Sequence, residues 1–201
     1  MKKQFILTVL TAIIAVSFTL TNVQGYQIGD KAEDFSLKNI DGKMMGMKDF
    51  ADAKGYIVVF TCNSCPYAQA YEQRMIDLNT KYAPQGYPVI AINPNAPSVT
   101  KEDSYKKMQT RAKSKKYAFP YLFDEKQDVF PKFGASKTPT VYVLDREKTI
   151  KYIGSIDDNA DDATAVTTKY VENAVEALKL GKNPDPSVTK AIGCSIKKKR
   201  T

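Results

Sequence analysis

Two cysteines separated by two residues, Cys62 and Cys65, are the side chains of this sequence most suited to chemistry. The apolar, largely β-branched run at 56–60 predicts a strand buried on both faces. After the cysteines, apolar residues recur at the three- and four-residue steps of one helix face: Ala68, Tyr71, Met75, Leu78 and Tyr82. Pro66 fits the first helical turn, where its missing N–H has no partner to lose. The two thiols are therefore predicted where a strand turns into a helix.

A helix start favours the thiolate form of a nearby cysteine, because unpaired N–H groups and the positive end of the helix dipole stabilise negative charge. Thiols in such motifs have pKa values of roughly 3.5–7.5, against about 8.5 for free cysteine. We therefore expect Cys62 to be a solvent-accessible nucleophile and Cys65 to resolve the mixed disulfide that it forms. A short structural disulfide and half of a zinc site are the alternatives. Zinc needs four nitrogen or sulfur ligands, and the chain has no His and three Cys in all.

The composition is that of one globular domain and narrows the possible chemistry. The chain has 201 residues, of which 43% are hydrophobic and 26% charged. The absence of His excludes His-based catalytic triads and His-ligated metals or haem, so any general acid or base must be a carboxylate, Lys, Tyr or thiol. We expect no metal and no cofactor.

The net charge of +8 raises the possibility of a nucleic-acid partner. It falls to +6 without Lys2 and Lys3, since 8 − 2 = 6. Much of the remaining excess is concentrated in residues 106–116 and 197–200. Such runs are most often solvated faces, and we expect no nucleic-acid partner.

The N-terminus has the pattern of a signal peptide. Lys2 and Lys3 precede an uncharged apolar stretch at 5–20, and a polar segment ends at Gly25. We expect cleavage after Gly25, a mature domain at 26–201 and an exported protein, periplasmic or secreted, without stable membrane insertion after cleavage. The apolar stretch is about 16 residues long and a bilayer span needs ~20, although an uncleaved anchor is an alternative. Export would place the thiols in an oxidising compartment.

The rest of the chain predicts an α/β domain. A second apolar strand at 87–93 completes a parallel crossover unit. Asp41-Gly42 is a turn signal and predicts a small hairpin near the mature start. Further predictions are a strand at 137–145 with an antiparallel partner at 150–153, and a long helix from Ala165 to Leu180 that Gly181 ends.

This order of elements resembles the thioredoxin-like superfamily, and more closely its peroxiredoxin-like branch of exported thiol-disulfide oxidoreductases (alkyl hydroperoxide reductase/thiol-specific antioxidant type). The matching segments span nearly the whole mature chain: 29–37, 60–67, 137–140, 153–158 and 193–197. The resemblance implies a thioredoxin-like fold, a central mixed β-sheet flanked by helices, with an N-terminal β-hairpin extension.

The resemblance also implies roles for residues distant from the cysteines. Pro139 is expected to follow a cis peptide bond and to pack beside Cys62 and Cys65, and Thr138 to offer backbone hydrogen bonds to an extended substrate. With Asn63 and Ser64, these two residues form the expected substrate-binding set. Because proline lacks an N–H, it should keep the strand edge open to a partner. The expected partners are disulfide-containing proteins and a separate redox partner.

Two other functions remain as alternatives. A thiol peroxidase would act on hydroperoxides through Cys62, but Gly55 and Val59 replace the Pro and the Thr or Ser that peroxiredoxins carry seven and three residues before that cysteine. A non-catalytic binding module would hold the cysteines in a stable disulfide. Cys194, the third cysteine, could pair with a partner protein, resolve an intermediate from Cys62, or lie buried as a small apolar residue.

Overall fold

The computed structural model describes residues 25–200, so the predicted signal peptide lies outside the described residues except for Gly25. The strands are β1 (Leu37–Asn39), β2 (Met44–Met45), β3 (Gly55–Phe60), β4 (Val89–Asn93), β5 (Tyr121–Phe123), β6 (Lys137–Thr138), β7 (Thr140–Asp145), β8 (Ile150–Gly154) and β9 (Cys194–Ser195). The α-helices are α1 (Pro66–Ala70), α2 (Glu72–Tyr82), α3 (Tyr105–Lys115), α4 (Phe130–Phe133) and α5 (Tyr170–Lys179). No helix between residues 25 and 200 has the length and apolarity needed to cross a bilayer.

Seven strands form one mixed sheet in the order β2-β1-β5-β4-β3-β7-β8. β3 is central, parallel to β4 and antiparallel to β7. The predicted N-terminal hairpin is present as β1 and β2, and β1 joins the sheet edge by antiparallel pairing with β5. The turn of this hairpin contains Gly42 at a φ of 89°, a backbone conformation that side chains other than glycine rarely adopt.

The core lies on both faces of the sheet because successive residues of β3 point to opposite sides. Ile57 and Val59 belong to one apolar cluster, and Val58 and Phe60 belong to the other. Every residue of the predicted helix face after the cysteines is buried in the structure: Ala68, Tyr71, Met75, Leu78 and Tyr82. The apolar spacing therefore predicted how this helical segment packs on the sheet.

Two helix predictions need correction. The helix after the cysteines is two helices, α1 and α2, separated at Tyr71. The helix predicted from Ala165 begins only at Tyr170. The carboxylates of Asp158 and Asp162 bind the backbone N–H groups of the preceding segment, at Thr164, Thr167 and Thr168. Such local side-chain bonds offer the backbone an alternative to the helix.

The predicted strand at 137–145 is divided at Pro139 into β6 and β7, and the Thr138–Pro139 peptide bond is cis, as the resemblance implies. β6 belongs to a separate two-stranded sheet. Its partner is β9, which comes from the C-terminal end of the chain. The edge beside the cis-proline is thus paired with the protein's own tail.

Candidate active site

The dithiol lies where the sequence predicts it, between the end of β3 and the start of α1. Cys65 is the N-cap residue of α1, and Pro66 is the first helical residue. Cys62 lies in the preceding loop, so the cysteine nearest the helix start is the second of the pair and not the first. This placement gives Cys65 the closer approach to the positive end of the helix.

Thr138 brings the two sulfurs and the cis-proline loop together. The Sγ of Cys62 lies 3.1 Å from the Oγ1 of Thr138, and the Sγ of Cys65 lies 3.2 Å from the Thr138 carbonyl oxygen. The peptide bond between Thr138 and Pro139 is the cis bond. Four of the six predicted site residues therefore meet at one point: Cys62, Cys65, Thr138 and Pro139. The cysteines and the Thr138–Pro139 pair are more than 70 positions apart in the sequence.

The expectation that Cys62 is open to solvent is wrong for this structure. Cys62 is 4% exposed and Cys65 is 2% exposed. Ala68 and the half-buried Cys194 pack with them in one small cluster. The edge at Thr138, predicted to be open, is covered by the strand that carries Cys194.

The negative charge of the reduced pair lies on Cys65 and not, as expected, on Cys62. The thiols of Cys62 and Cys65 hydrogen-bond to each other, and this bond lowers the pKa of Cys65 to about 5, with a further contribution from Cys194. The same bond, followed by burial and by the charge of Asp103, raises the pKa of Cys62. Because a shared proton cannot leave both sulfurs easily, the thiolate forms on Cys65 while the tail is docked.

The two residues between the cysteines are held by the protein itself. The backbone N–H of Asn63 donates to Asp103 Oδ1 at 2.6 Å, and the hydroxyl of Ser64 donates to Asp103 Oδ2 at 2.6 Å. The buried side chain of Asn63 donates to the carbonyl of Glu102 at 2.7 Å and accepts from Tyr121. These contacts position the loop, and substrate binding by Asn63 and Ser64 stays a prediction.

Asp103 is a site residue that the sequence reasoning missed. It is fully buried, and its other hydrogen bonds come from the side-chain amides of Asn93 and Asn95, at 3.3 and 2.9 Å. Within residues 25–200 it has no Lys or Arg partner. Asp103 lies just before the charged run at 106–116, and in the sequence nothing distinguishes it from the other charged residues nearby. The available signal was the pair of asparagines at the carboxyl end of a central strand, where α/β sheets place their sites.

Cys194 reaches the dithiol from the tail. Its backbone N–H donates to the Sγ of Cys65 at 3.3 Å, and it lies opposite Thr138 in the pairing of β6 with β9. The described part of the chain contains no group of three or more Cys, Asp or Glu side chains placed to hold a metal ion.

The comparisons with known proteins agree with this geometry. Residues 28–153 match the model of the AhpC/TSA family. The chain is 26% identical over 140 residues to thiol-disulfide oxidoreductase ResA of Bacillus thuringiensis subsp. konkukian, covering 66% of this chain and 75% of the relative. It is 30% identical over 129 residues to thioredoxin-like protein YneN of Bacillus subtilis, covering 64% of this chain and 72% of the relative.

A solved structure is similar over most of the chain. It is that of an uncharacterized conserved protein from Geobacillus kaustophilus, with a TM-score of 0.82 and 33% identity over 87% of this chain and 94% of that chain. The family match covers more than half of the sequence and includes both Cys62 and Cys65. The chain therefore belongs to the AhpC/TSA family, as a thiol-disulfide oxidoreductase with a thioredoxin-like fold.

Proposed function

We propose that this protein reduces or exchanges disulfide bonds of exported protein substrates through the Cys62–Cys65 dithiol. The observation that carries the proposal is the meeting of both sulfurs with Thr138, directly before the cis-proline. A structural disulfide needs only two cysteines in contact. It does not need a strand edge whose backbone and hydroxyl groups both face the sulfurs.

In the proposed reaction, the Cys62 thiolate attacks one sulfur of a substrate disulfide. That bond breaks, a Cys62–substrate disulfide forms, and the other substrate sulfur leaves as a thiolate. The Cys65 thiolate then attacks the sulfur of Cys62, the mixed disulfide breaks, the second substrate sulfur leaves as a thiolate, and the Cys62–Cys65 disulfide forms. Two electrons have passed from the dithiol to the substrate. The hydroxyl of Thr138, 3.1 Å from the Cys62 sulfur, stabilises this sulfur as a thiolate.

Burial of Cys62 means that a protein substrate has to open the site before it reacts. The tail strand β9 covers the strand edge at Thr138, where an extended substrate would pair. We therefore propose that substrate replaces β9 at β6 and uses the backbone of Thr138 in the same way. Undocking also removes the N–H of Cys194 from the Cys65 sulfur, which weakens the preference of the thiolate for Cys65.

The compartment is part of the proposal and rests on the N-terminal sequence. Lys2, Lys3 and the apolar stretch at 5–20 are typical of an exported precursor. Expression of the full chain should yield a mature protein in the exported fraction that begins at Tyr26. N-terminal sequencing of that fraction measures the cleavage point, and an intact Met1 would contradict cleavage.

The reaction is tested with two serine variants on an insulin-type disulfide substrate. Cys62→Ser should abolish disulfide exchange, because the attacking sulfur is lost. Cys65→Ser should trap the Cys62–substrate disulfide, which mass spectrometry of the unreduced mixture detects. Exchange by Cys62→Ser at the wild-type rate would exclude Cys62 as the nucleophile.

A peroxide assay separates this function from the thiol peroxidase alternative. Val59 is fully buried in the core, and Gly55 starts β3 at the end of the strand away from the dithiol. Neither position offers a hydroxyl to polarise a peroxide. We expect stopped-flow mixing with hydrogen peroxide to show that Cys62 is oxidised no faster than a free thiol with the same pKa.

A further inference from the structure

The C-terminal tail is fixed against the dithiol by bonds on both sides of Cys194. Cys194 pairs with Thr138, and Ser195 pairs with Lys137, in the antiparallel sheet of β6 and β9. The backbone N–H of Ile196 then donates to the carbonyl of Ser136 at 3.0 Å. Cys194 is therefore held at a defined position beside the other two thiols.

The residue before Cys194 permits this approach. A Cβ atom on Gly193 would lie 2.1 Å from the carbonyl oxygen of Thr138 and 3.0 Å from the nitrogen of Pro139. Because these are backbone atoms, a side chain here cannot be accommodated by a rotamer change. Gly193 thus allows the tail to come close enough for its cysteine to reach the dithiol.

The tail contacts the dithiol at Cys65. The Sγ of Cys65 accepts a hydrogen bond from the backbone N–H of Cys194 at 3.3 Å, and all three cysteines pack in one small cluster. Within residues 25–200, the sulfur of Cys62 forms its hydrogen bonds with the hydroxyls of Ser64 and Thr138 and not with Cys194. In thiol-disulfide exchange the attacked sulfur must contact both the attacking and the leaving sulfur. Cys65 is paired with Cys62 in the dithiol motif and is hydrogen-bonded by the backbone of Cys194, so it is placed to be the attacked sulfur.

From this arrangement we propose that Cys194 is a third redox-active cysteine, which exchanges with the Cys62–Cys65 disulfide at Cys65 and forms an internal Cys65–Cys194 disulfide. The Cys194 thiolate attacks the sulfur of Cys65. The Cys62–Cys65 bond breaks, the Cys65–Cys194 bond forms, and Cys62 leaves as a thiolate that takes up the proton Cys194 has lost. The step is a rearrangement within one chain and needs no external oxidant. It rests on the proposed function, since that function produces the Cys62–Cys65 disulfide.

The electrostatics favour this step after substrate turnover. Burial, and then the neighbouring Cys65 thiolate, raise the pKa of Cys194 to about 11 in the reduced protein, whereas Lys197 lowers it. Once Cys65 is part of a disulfide, its negative charge is gone, and only burial still raises the pKa of Cys194. The third cysteine therefore gains nucleophilicity when the disulfide that it attacks has formed.

The exchange would move the oxidised pair toward the surface. Cys62 and Cys65 are 4% and 2% exposed, whereas Cys194 is half-buried on a tail followed by exposed Lys198 and Lys199. A dithiol reductant that regenerates the enzyme could then attack Cys194 while Cys62 is already reduced. The tail would alternate between leaving β6 for substrate and returning to accept the disulfide.

The experiment uses the full chain with Cys62→Ser, reduced and then treated with one equivalent of diamide as the oxidant. We expect a monomer that has lost two hydrogens, with a Cys65–Cys194 cross-link in the peptide map of the unreduced protein. Cys65→Ser should form a Cys62–Cys194 bond at least about ten times more slowly. Cys194→Ser is the matched control for the normal Cys62–Cys65 disulfide.

A further variant changes the docking of the tail without removing a sulfur. Gly193→Val in the Cys62→Ser background should slow formation of the cross-link by about tenfold or more, because its side chain meets the Thr138 carbonyl. Circular dichroism and thermal unfolding establish that this variant is folded, and Gly193→Ala serves in its place if it is not.

The outcomes separate this inference from the proposed function. A Cys62→Ser protein that stays reduced, or forms only dimers through Cys194, overturns the internal relay even if the wild type still reduces insulin. Equal rates for the Cys62→Ser and Cys65→Ser variants also overturn it. A Cys65–Cys194 cross-link in a protein that exchanges no substrate disulfide would instead support the relay and contradict the proposed function.

Discussion

The carboxylate of Asp103 accepts a hydrogen bond from the backbone N–H of Asn63 at 2.6 Å, so a residue 40 positions away fixes the loop between the two cysteines. The same carboxylate binds the hydroxyl of Ser64 and the amides of Asn93 and Asn95. Asn95 Oδ1 in turn accepts from the backbone N–H of Lys197 at 2.8 Å. One hydrogen-bonded chain therefore joins the dithiol loop to the tail.

Replacement of this carboxylate by an amide should change both stability and reactivity. Asp103→Asn keeps one oxygen but turns an NH₂ group toward donors, so we expect a loss of about 1–3 kcal/mol in the free energy of unfolding. The negative charge of Asp103 raises the pKa of Cys62, so the variant should lower it. The pKa is measured by alkylation rate against pH in a Cys65→Ser background. Asp52→Asn, at an exposed position, is the control, and an unchanged Cys62 pKa would contradict the assignment.

The pH dependence of the reduction potential should report the single thiolate of the reduced pair. The pKa of Cys65 is lowered to about 5 and that of Cys62 is raised, so reduction takes up two protons below pH 5 and one proton above it. One proton per two electrons corresponds to about 30 mV per pH unit, and two protons to about 59 mV. We therefore expect the slope to fall by half near pH 5 in glutathione titrations. A slope of about 59 mV maintained through pH 7 would show that both thiols are protonated there.

The Thr138 hydroxyl should contribute to catalysis through its contact with Cys62. Thr138→Val removes the oxygen 3.1 Å from the sulfur, and this hydrogen bond lowers the pKa of Cys62. Loss of a hydrogen bond to a charged group costs about 1.5–3 kcal/mol, so we expect disulfide exchange to slow by at least about tenfold. Thr138→Ser keeps the hydroxyl and should recover most of the rate. Equal rates for the two variants would assign the residue a packing role alone.

The packing of α2 against α3 depends on a buried carboxylate. Glu72 is 4% exposed; it pairs with Arg111 and Lys115 and accepts from the hydroxyl of Tyr117 at 2.8 Å. Removing one partner of a buried pair costs about 3–5 kcal/mol, and we expect about 2–3 kcal/mol for Glu72→Ala because Arg111 keeps some access to water. Denaturant unfolding of the reduced protein measures the loss. Glu33→Ala, which breaks the exposed pair with Lys132, should leave the free energy of unfolding nearly unchanged, because water screens that pair.

Much of the fold followed from local patterns in the sequence. The continuous apolar run of β3, the apolar face from Ala68 to Tyr82 and the Asp41-Gly42 turn each depend on neighbouring residues, and the structure confirms all three. The cis bond at Pro139 followed from the family resemblance, which combines several distant motifs.

The features that were missed depend on distant contacts. β9 has two residues, too few for a periodic pattern, and its pairing with β6 spans more than 50 positions. That contact covers the strand edge beside Cys62, and Cys194 adds to the lowering of the Cys65 pKa that Cys62 mainly causes. Asp103 could not be distinguished from its charged neighbours until the fold had enclosed it.

The strand that shields the sulfurs, β9, follows all seven strands of the main sheet in the sequence. Ribosomes make a polypeptide from its N-terminus, so every element of the seven-stranded sheet exists before residues 194–195 are available. A newly made molecule therefore passes through an interval in which β9 does not yet shield the thiols of Cys62 and Cys65. Any chain whose translation stops early would remain in that unprotected state.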